Sequence, residues 1–436
     1  MILTAQIVVS VSLLVGLVHW KTVGWSFAPA GTFLVFNYVA TISIIRAASN
    51  HRETDMLYVA ICAYAFVAFL LSAAIAARNS PLDAPYRTVR TVPVAPIVVL
   101  AVFGAVIVAA YYSAVGYSAL FEGLKASVSG DDTADIAGLR LESYSGTRYL
   151  FPGYVNQFKN AIFPACVVLL IGVVFKRADS KLILAPPLIL AAGLALMGTG
   201  QRQALILFVI TVLILTVARS GKLFNLYGTI TATIGLAALT IGTFALGRGN
   251  AEVQIASTFT EKIGILLSQI ASRVFDSGAE GMLIGFEYIY REKPIAYGTE
   301  WAQSVIGILP GDSGSTLASE IFEQLWGSTR GNSPPGIWAS VYHNFGHLGV
   351  ALIPIVLGVT YAAIGRWIAT TLPRCSALGA IGLAGVIVSL GFWSSGSPVA
   401  ILNAGVFAYL LLVWIDLKYG KDTEISGDKK PISASP

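Results

Sequence analysis

The sequence predicts an all-α polytopic membrane protein with about eleven transmembrane helices, and three observations lead there. Of 436 residues, 56% are hydrophobic and only 12% are charged, about half the charge of an ordinary soluble domain, and the mean hydropathy is +0.74. The apolar residues gather into windows of about 20, the length a helix needs to cross the hydrocarbon core with its backbone groups paired internally. Lys and Arg fall very unevenly between alternate connections, as the positive-inside rule requires of a multi-pass chain. A water-soluble globule is excluded, and the formal charge of +5 reads as a topology signal rather than a nucleic-acid footprint.

The windows run over residues 2–20, 26–45, 56–77, 92–115, 154–175, 182–197, 203–218, 223–245, 337–364, 376–392 and 399–415. The first is kept as a span because it ends in no small-residue cleavage site. The sixth contains Pro186 and Pro187, which are expected to bend or break it. One set of short connections, with the tail, carries Lys21, Arg78, Arg87, Arg90, Lys176, Arg177, Lys181, Arg219, Lys222, Arg366, Arg374, Lys418, Lys421, Lys429 and Lys430; the opposite set carries only Arg46, Arg52 and Arg202. The N-terminus is therefore expected outside and the tail inside.

That orientation puts both long connections on the outer face. The chain divides into a four-span segment (1–115), an outer loop (116–153), a second four-span segment (154–246), a large outer loop (247–336), C-terminal spans (337–416) and a polar tail (417–436) expected to be disordered. In the large loop, Ile263, Leu266, Leu267, Ile270 and Val274 recur at helical spacing and predict an amphipathic surface helix over 258–275, with another over 298–308. No internal repeat is visible in the spans, which argues against transporters built from repeated halves. Cys62, Cys166 and Cys375 are scattered through apolar stretches and give neither a disulfide framework nor a metal site.

Long loops in a compact protein more often carry function than short basic turns do. The first outer loop holds Arg140, Glu142, Arg148 and Tyr149 just before a span. Two guanidinium groups there suit a pyrophosphate, being planar, bidentate and permanently charged; pairing with Glu142 or lipid phosphate is the plain alternative. The short connection Gly-Thr-Gly-Gln-Arg-Gln over 198–203 sets Arg202 at a helix start, where flanking glycines allow close backbone approach and the helix N-terminus favours an anion; a snorkelling end-marker is the alternative. The large loop adds Arg248, Arg273, Asp276, Glu280, Glu287, Arg291, Glu300, Asp312, Glu320, Glu323 and Arg330. Asp276 and Glu280 share a helix face, either as a proton-exchanging pair or as a solvated acidic surface.

The densest cluster runs from the loop into the ninth window. Pro334 and Pro335 end the loop, after which Tyr342, His343, Asn344 and His347 are expected near the outer face. His343 and His347 have i, i+4 spacing without an accompanying carboxylate motif, so no metal is assigned. A neutral imidazole at that boundary suits proton abstraction from a sugar hydroxyl, or else a hydrogen bond to a neighbouring helix.

Pro-Pro-Gly-Ile-Trp-Ala-Ser-Val-Tyr-His-Asn-Phe-Gly-His-Leu-Gly-Val over 334–350, Gly-Thr-Glu-Trp-Ala-Gln-Ser-Val-Ile-Gly-Ile-Leu-Pro over 298–310, and Met-Gly-Thr-Gly-Gln-Arg-Gln-Ala-Leu over 197–205 together resemble the Wzy-type O-antigen (oligosaccharide repeat-unit) polymerases, over nearly the whole chain. The resemblance implies a GT-C glycosyltransferase of the bacterial inner membrane. Such an enzyme joins undecaprenyl-pyrophosphate-linked oligosaccharide repeat units at the periplasmic face, without a cofactor or metal, beside membrane lipid and in some systems a Wzz-type chain-length regulator. On that reading Arg202 and Arg273 or Arg330 are expected on the pyrophosphate, Arg140 and Arg148 in a supporting clamp, His343 as the base and Asn344 and His347 at the substrate; Tyr149, Trp301, Trp338 and Tyr342 either pack against sugar rings or the polyprenyl chain or anchor the chain at the membrane interface. An O-antigen ligase shares the layout and the reaction type. A lipid-linked-sugar flippase or other transporter is the alternative of another class; it predicts discontinuous helices and polar groups deep in the spans.

Overall fold

The computed structural model describes residues 1–49, 52–78, 90–129, 135–145, 152–174, 185–220, 226–245, 278–309, 314–328 and 331–422, with single positions between 261 and 272. The described chain is almost entirely helical. Its elements are α1 (Ile2–Val23), α2 (Ala28–Ala47), α3 (Glu53–Ala77), β1 (Arg90–Thr91), α4 (Val94–Val115), α5 (Ala119–Ser129), α6 (Ile136–Ser145), α7 (Pro152–Gln157), α8 (Phe163–Leu169), α9 (Ala185–Met197), α10 (Arg202–Ser220), α11 (Leu226–Ala245), α12 (Gly278–Glu292), α13 (Thr299–Ile306), α14 (Leu317–Trp326), α15 (Ile337–Thr371), α16 (Ala377–Phe392), α17 (Val399–Asn403), α18 (Val406–Tyr419) and β2 (Lys421–Asp422).

Among the described residues, seven helical stretches are long and apolar enough to cross a membrane: Ile2–Ala47, Glu53–Ala77, Val94–Val115, Tyr154–Gly172, Arg202–Ser220, Ile337–Arg374 and Ala377–Ser395. The first holds two expected windows, α1 and α2, parted by the short 3-10 turn Gly24–Phe27. Of the remaining windows, α9 has only 13 residues and the last is interrupted between α17 and α18, where Gly405 takes φ +96. In the sixth window Pro186 and Pro187 stand at the start of α9, where a missing N–H and a fixed φ are tolerated; residues 182–184 lie outside the described residues.

Apolar side chains face outward along α1, where Leu3, Ile7, Leu14 and Val18 are exposed; in a bilayer these meet lipid. α16 is its opposite, buried from Ala377 to Gly391. Gly379, Gly382 and Gly385 recur every three residues along it, and a Cβ on Gly382 would come within 2.7 Å of the Tyr409 carbonyl, so α18 lies directly on this small-residue stripe. Asp416 of α18 accepts the Ser376 N–H at 2.8 Å and the Ser376 hydroxyl, satisfying the start of α16.

Two ends of the bundle are defined. β1 pairs antiparallel with β2, Arg90 opposite Asp422 and Thr91 opposite Lys421, which brings the connection before α4 to the C-terminal segment, as their shared basic character predicts. From β1, the 22 residues of α4 rise about 33 Å to the opposite end. There α5, α6 and the α9–α10 turn gather, with α12, α13 and α14 of the large loop. The helix expected over 298–308 is α13; the one over 258–275 and the tail after 422 fall outside the described residues apart from the single positions noted.

Candidate functional site

The first polar group at that end is built on the turn between α9 and α10. Gly200 has φ +74, a left-handed conformation that disfavours any side chain, and its N–H donates to Met197 O at 2.7 Å. The Gly198 carbonyl accepts from Ser118 Oγ at 2.8 Å and from Leu120 N at 3.2 Å; the Thr199 carbonyl accepts from Ser143 Oγ at 3.4 Å. These bonds hold α5 and α6 on the turn. The Arg140 side chain then lies across Gly200, so that a Cβ there would stand 2.7 Å from its Cγ and 3.0 Å from its Nε. Arg202 opens α10 two residues later. The structure thus lays the Arg140 side chain on the turn from which Arg202 opens α10, and a helix N-terminus favours negative charge.

The second group surrounds a break in α15. Gly346 has φ 60 and ψ −155, values open essentially to glycine, so Ile337–Phe345 and His347–Thr371 are separate helical segments. Tyr58 OH donates to Pro335 O and Tyr64 OH to Ala351 O, each at 2.9 Å. Six residues of α3, about 9 Å, therefore match the sixteen-residue step from Pro335 to Ala351, which in one straight helix would cover about 24 Å. The first segment folds back over α3. His343 and His347, expected at i, i+4 on one helix, are parted by this break: His343 is buried, while the exposed His347 packs edge-on against Tyr342, ring centroids 5.2 Å apart. Among the described residues no group of three or more His, Cys, Asp or Glu could hold a metal ion.

The carbonyls released at the break are accounted for. Ala296 N donates to His343 O at 2.8 Å and Gly298 N to Asn344 O at 3.2 Å, tying the segment before α13 to the break. Asn344, fully buried, donates through Nδ2 to Glu300 Oε2 and to Ser340 O, both at 2.9 Å, and accepts Trp301 N at 3.2 Å. With these bonds it positions Glu300 instead of facing open space. Ser304 Oγ donates to Glu300 Oε1 at 2.9 Å, and Trp301 Nε1 donates to Ser340 Oγ at 2.8 Å. His343 feels the charges of Glu300, Lys293 and Glu320, and its Nδ1 has no hydrogen-bond partner. Tyr342 stacks loosely among Phe286, Tyr290 and His347, an aromatic rim above the break.

Lys293 Nζ lies 2.7 Å from Glu320 Oε2, and Thr316 Oγ1 donates to Glu320 Oε1 at 2.7 Å. Burial alone would raise the Glu320 carboxyl, but the bonds from Lys293, Thr316 and Tyr288 bring it below its ordinary value, while Glu320 raises Lys293.

A buried lysine lies between the Arg140 turn and the gap that parts α17 from α18. Helix α7 passes through a π-helical turn, Phe158–Ile162, into α8, and π turns occur often at functional sites. Lys159 in that turn is 0% exposed; its Nζ lacks a hydrogen-bond partner and sits 5.6 Å from the Tyr111 ring centre. The Tyr111 hydroxyl donates to Ser143 O, beside the Arg140 turn. On the other side, Gln157 Nε2 donates to Leu402 O at 2.7 Å and Gln157 Oε1 accepts Ala408 N at 3.2 Å, bridging the gap between α17 and α18.

Arg148, Tyr149, Arg273 and Arg330 lie outside the described residues. Sequence reasoning passed over Glu300 as one of many loop charges and Lys159 as part of an apolar window. The signal for Glu300 was its i, i+4 relation to Ser304; for Lys159 it was an ionisable residue inside a spanning window. Comparison with protein-family models, curated proteins and solved structures finds no match for the chain.

Proposed function

We propose that the chain is a membrane glycosyltransferase that polymerises undecaprenyl-pyrophosphate-linked oligosaccharide repeat units. In this reading eleven helices cross the inner membrane of a bacterium in a GT-C-like arrangement, and chemistry occurs at the periplasmic end, which carries both long loops. The growing glycan passes from its lipid diphosphate to a hydroxyl of the incoming lipid-linked unit. One observation carries the reading: the Arg140 side chain crosses Gly200 in the turn that presents Arg202 at the start of α10.

The chemistry asks little else. A lipid diphosphate is a good leaving group, and guanidinium donors fixed where its charge develops lower the barrier without reorganising. Arg202 and Arg140 hold the diphosphate, joined in this proposal by Arg148, Arg273 and Arg330. His343, Tyr342 and His347 stand on the acceptor side, with Asn344 as the residue that orients Glu300. A chain-length regulator is an expected partner.

The test is reconstitution of the full chain in liposomes with a lipid-linked repeat unit, reading product length. Replacing Arg202 or Arg140 by Ala is expected to cut polymer formation at least about 100-fold, as for loss of a transition-state donor. Unchanged product length would overturn the assignment. Transfer to a lipid A core acceptor instead of chain extension would favour the ligase.

A second reading rests on its own observation. Lys159 buried in a π turn beside the interrupted α17–α18 pair, together with the break in α15, resembles the discontinuous helices and intramembrane charge of transporters. In that case the same liposomes move the lipid-linked unit between leaflets and leave its glycan length unchanged.

A further inference from the structure

A cavity of about 190 Å³ opens beside the break in α15, lined by Glu300 and Ser304 of α13, Ser315, Pro334, Pro335, Ser340 of α15, Ser397 and Val399, with apolar contributions from Leu317 and Ala318. This is room for about six waters, or about one pyranose ring. Its hydrogen-bonding surface is specific. Ser340 Oγ already accepts Trp301 Nε1 at 2.8 Å and Ser315 Oγ accepts Leu317 N at 3.3 Å, so each hydroxyl keeps its own proton to give. Glu300 is 7% exposed and accepts one bond on each oxygen, from Ser304 and from Asn344, and each oxygen retains a lone pair. The wall therefore offers donors from serines, one acceptor from a fixed carboxylate, and prolines with Val399 for an apolar ring face. A neutral polyol matches that set; an anion would meet the Glu300 charge.

We propose that this cavity is the acceptor-sugar subsite and that Glu300, not His343, takes the proton from the reacting hydroxyl. The inference rests on the glycosyltransferase reading above. In the step, the acceptor O–H proton passes to a Glu300 oxygen as the acceptor oxygen bonds to the anomeric carbon of the donor glycan. The bond from that carbon to the lipid diphosphate breaks, and its electron pair leaves with the diphosphate. His343 does not line the cavity; its carbonyl accepts from Ala296 N, which makes it a positioning residue.

The experiment uses the full chain in liposomes with the lipid-linked repeat unit extracted from cells lacking the chain. Glu300→Gln keeps the shape and a bond to Ser304 or Asn344. It is expected to lower turnover about 100-fold or more, the usual worth of a general base. Val399→Phe, which fills the cavity without touching the Glu300 bonds, is expected to raise the KM for acceptor about tenfold with little change in melting temperature. Wild type that extends glycans while Glu300→Gln retains its rate would overturn the subsite alone, as would Val399→Phe with unaltered KM. Wild type that extends no glycan would overturn the glycosyltransferase reading itself.

Discussion

Lys159 presents the sharpest energetic anomaly at the residue scale. An amine sealed from solvent beside an aromatic face costs several kcal/mol relative to a well-packed apolar residue when it carries its proton. Lys159→Met fills similar volume, so it is expected to raise stability by about 1–3 kcal/mol and lift the melting temperature of the detergent-solubilised protein, while lowering activity in the liposome assay. Lower stability would show that the amine is structurally supported after all. The Lys293–Glu320 pair makes a different prediction. The Glu320 carboxyl is held below its usual 4.5, so the folded state binds its proton less readily than the unfolded chain. The pair's contribution is present above that ordinary value and disappears as pH falls through the lowered one. With side chains 28% and 30% exposed, it amounts to about 0.5–1 kcal/mol. Wild type should melt slightly above Glu320→Gln at pH 7 and together with it near the bottom of the titration. At this scale the sequence singled out Arg140 and Arg202 separately as candidate anion-binding residues, and the structure lays the Arg140 side chain on Gly200, two residues before Arg202. Glu300 was not legible: its burial depends on Asn344, 44 residues away in sequence, and on a break no local pattern announced.

Helix α15 is where element-scale reading and structure part. Residues 337–364 read as one span because Gly346 sits in an apolar, helix-compatible run, and glycine is ordinary within transmembrane helices. What breaks the helix is tertiary: the 296–298 backbone donates to the carbonyls of His343 and Asn344, replacing the bonds a continuous helix would make. Gly346→Ala tests this. Its φ of 60 with ψ −155 strains any side chain, and a Cβ would come within 2.9 Å of Ile295 Cδ1, so a loss of about 1–3 kcal/mol is expected in thermal unfolding, together with loss of activity. A variant as stable as wild type would mean that α15 runs unbroken. Short apolar windows were legible as helices, but not their interruption at Ala404 and Gly405, because Gln157, the side chain that bridges that gap, belongs to another helix.

For the whole molecule the decisive question is which end faces which compartment. The β1–β2 ladder joins the connection carrying Arg90 to the segment carrying Lys418 and Lys421, so the most basic surfaces share one end. The Arg140–Arg202 turn and the broken α15 share the other. In the proposed reading, retention of Lys and Arg on the cytoplasmic side places the candidate site outside. The chain supplies its own quiet background for testing this, since Cys62, Cys166 and Cys375 are all buried. Trp326, 68% exposed at the end of α14, and Lys418, exposed at the end of α18, mark the two ends. In intact cells with a permeable outer layer, a membrane-impermeant thiol reagent should label Trp326→Cys and leave Lys418→Cys unmodified until the cells are lysed. The reverse pattern would put the guanidinium turn in the cytoplasm, where a lipid-linked unit already carried outward could not reach it, and the polymerase reading would fall with the orientation. Labelling of both in intact cells would mean that the β1–β2 ladder does not share the cytoplasmic end, contradicting the packing that joins Arg90 to Asp422.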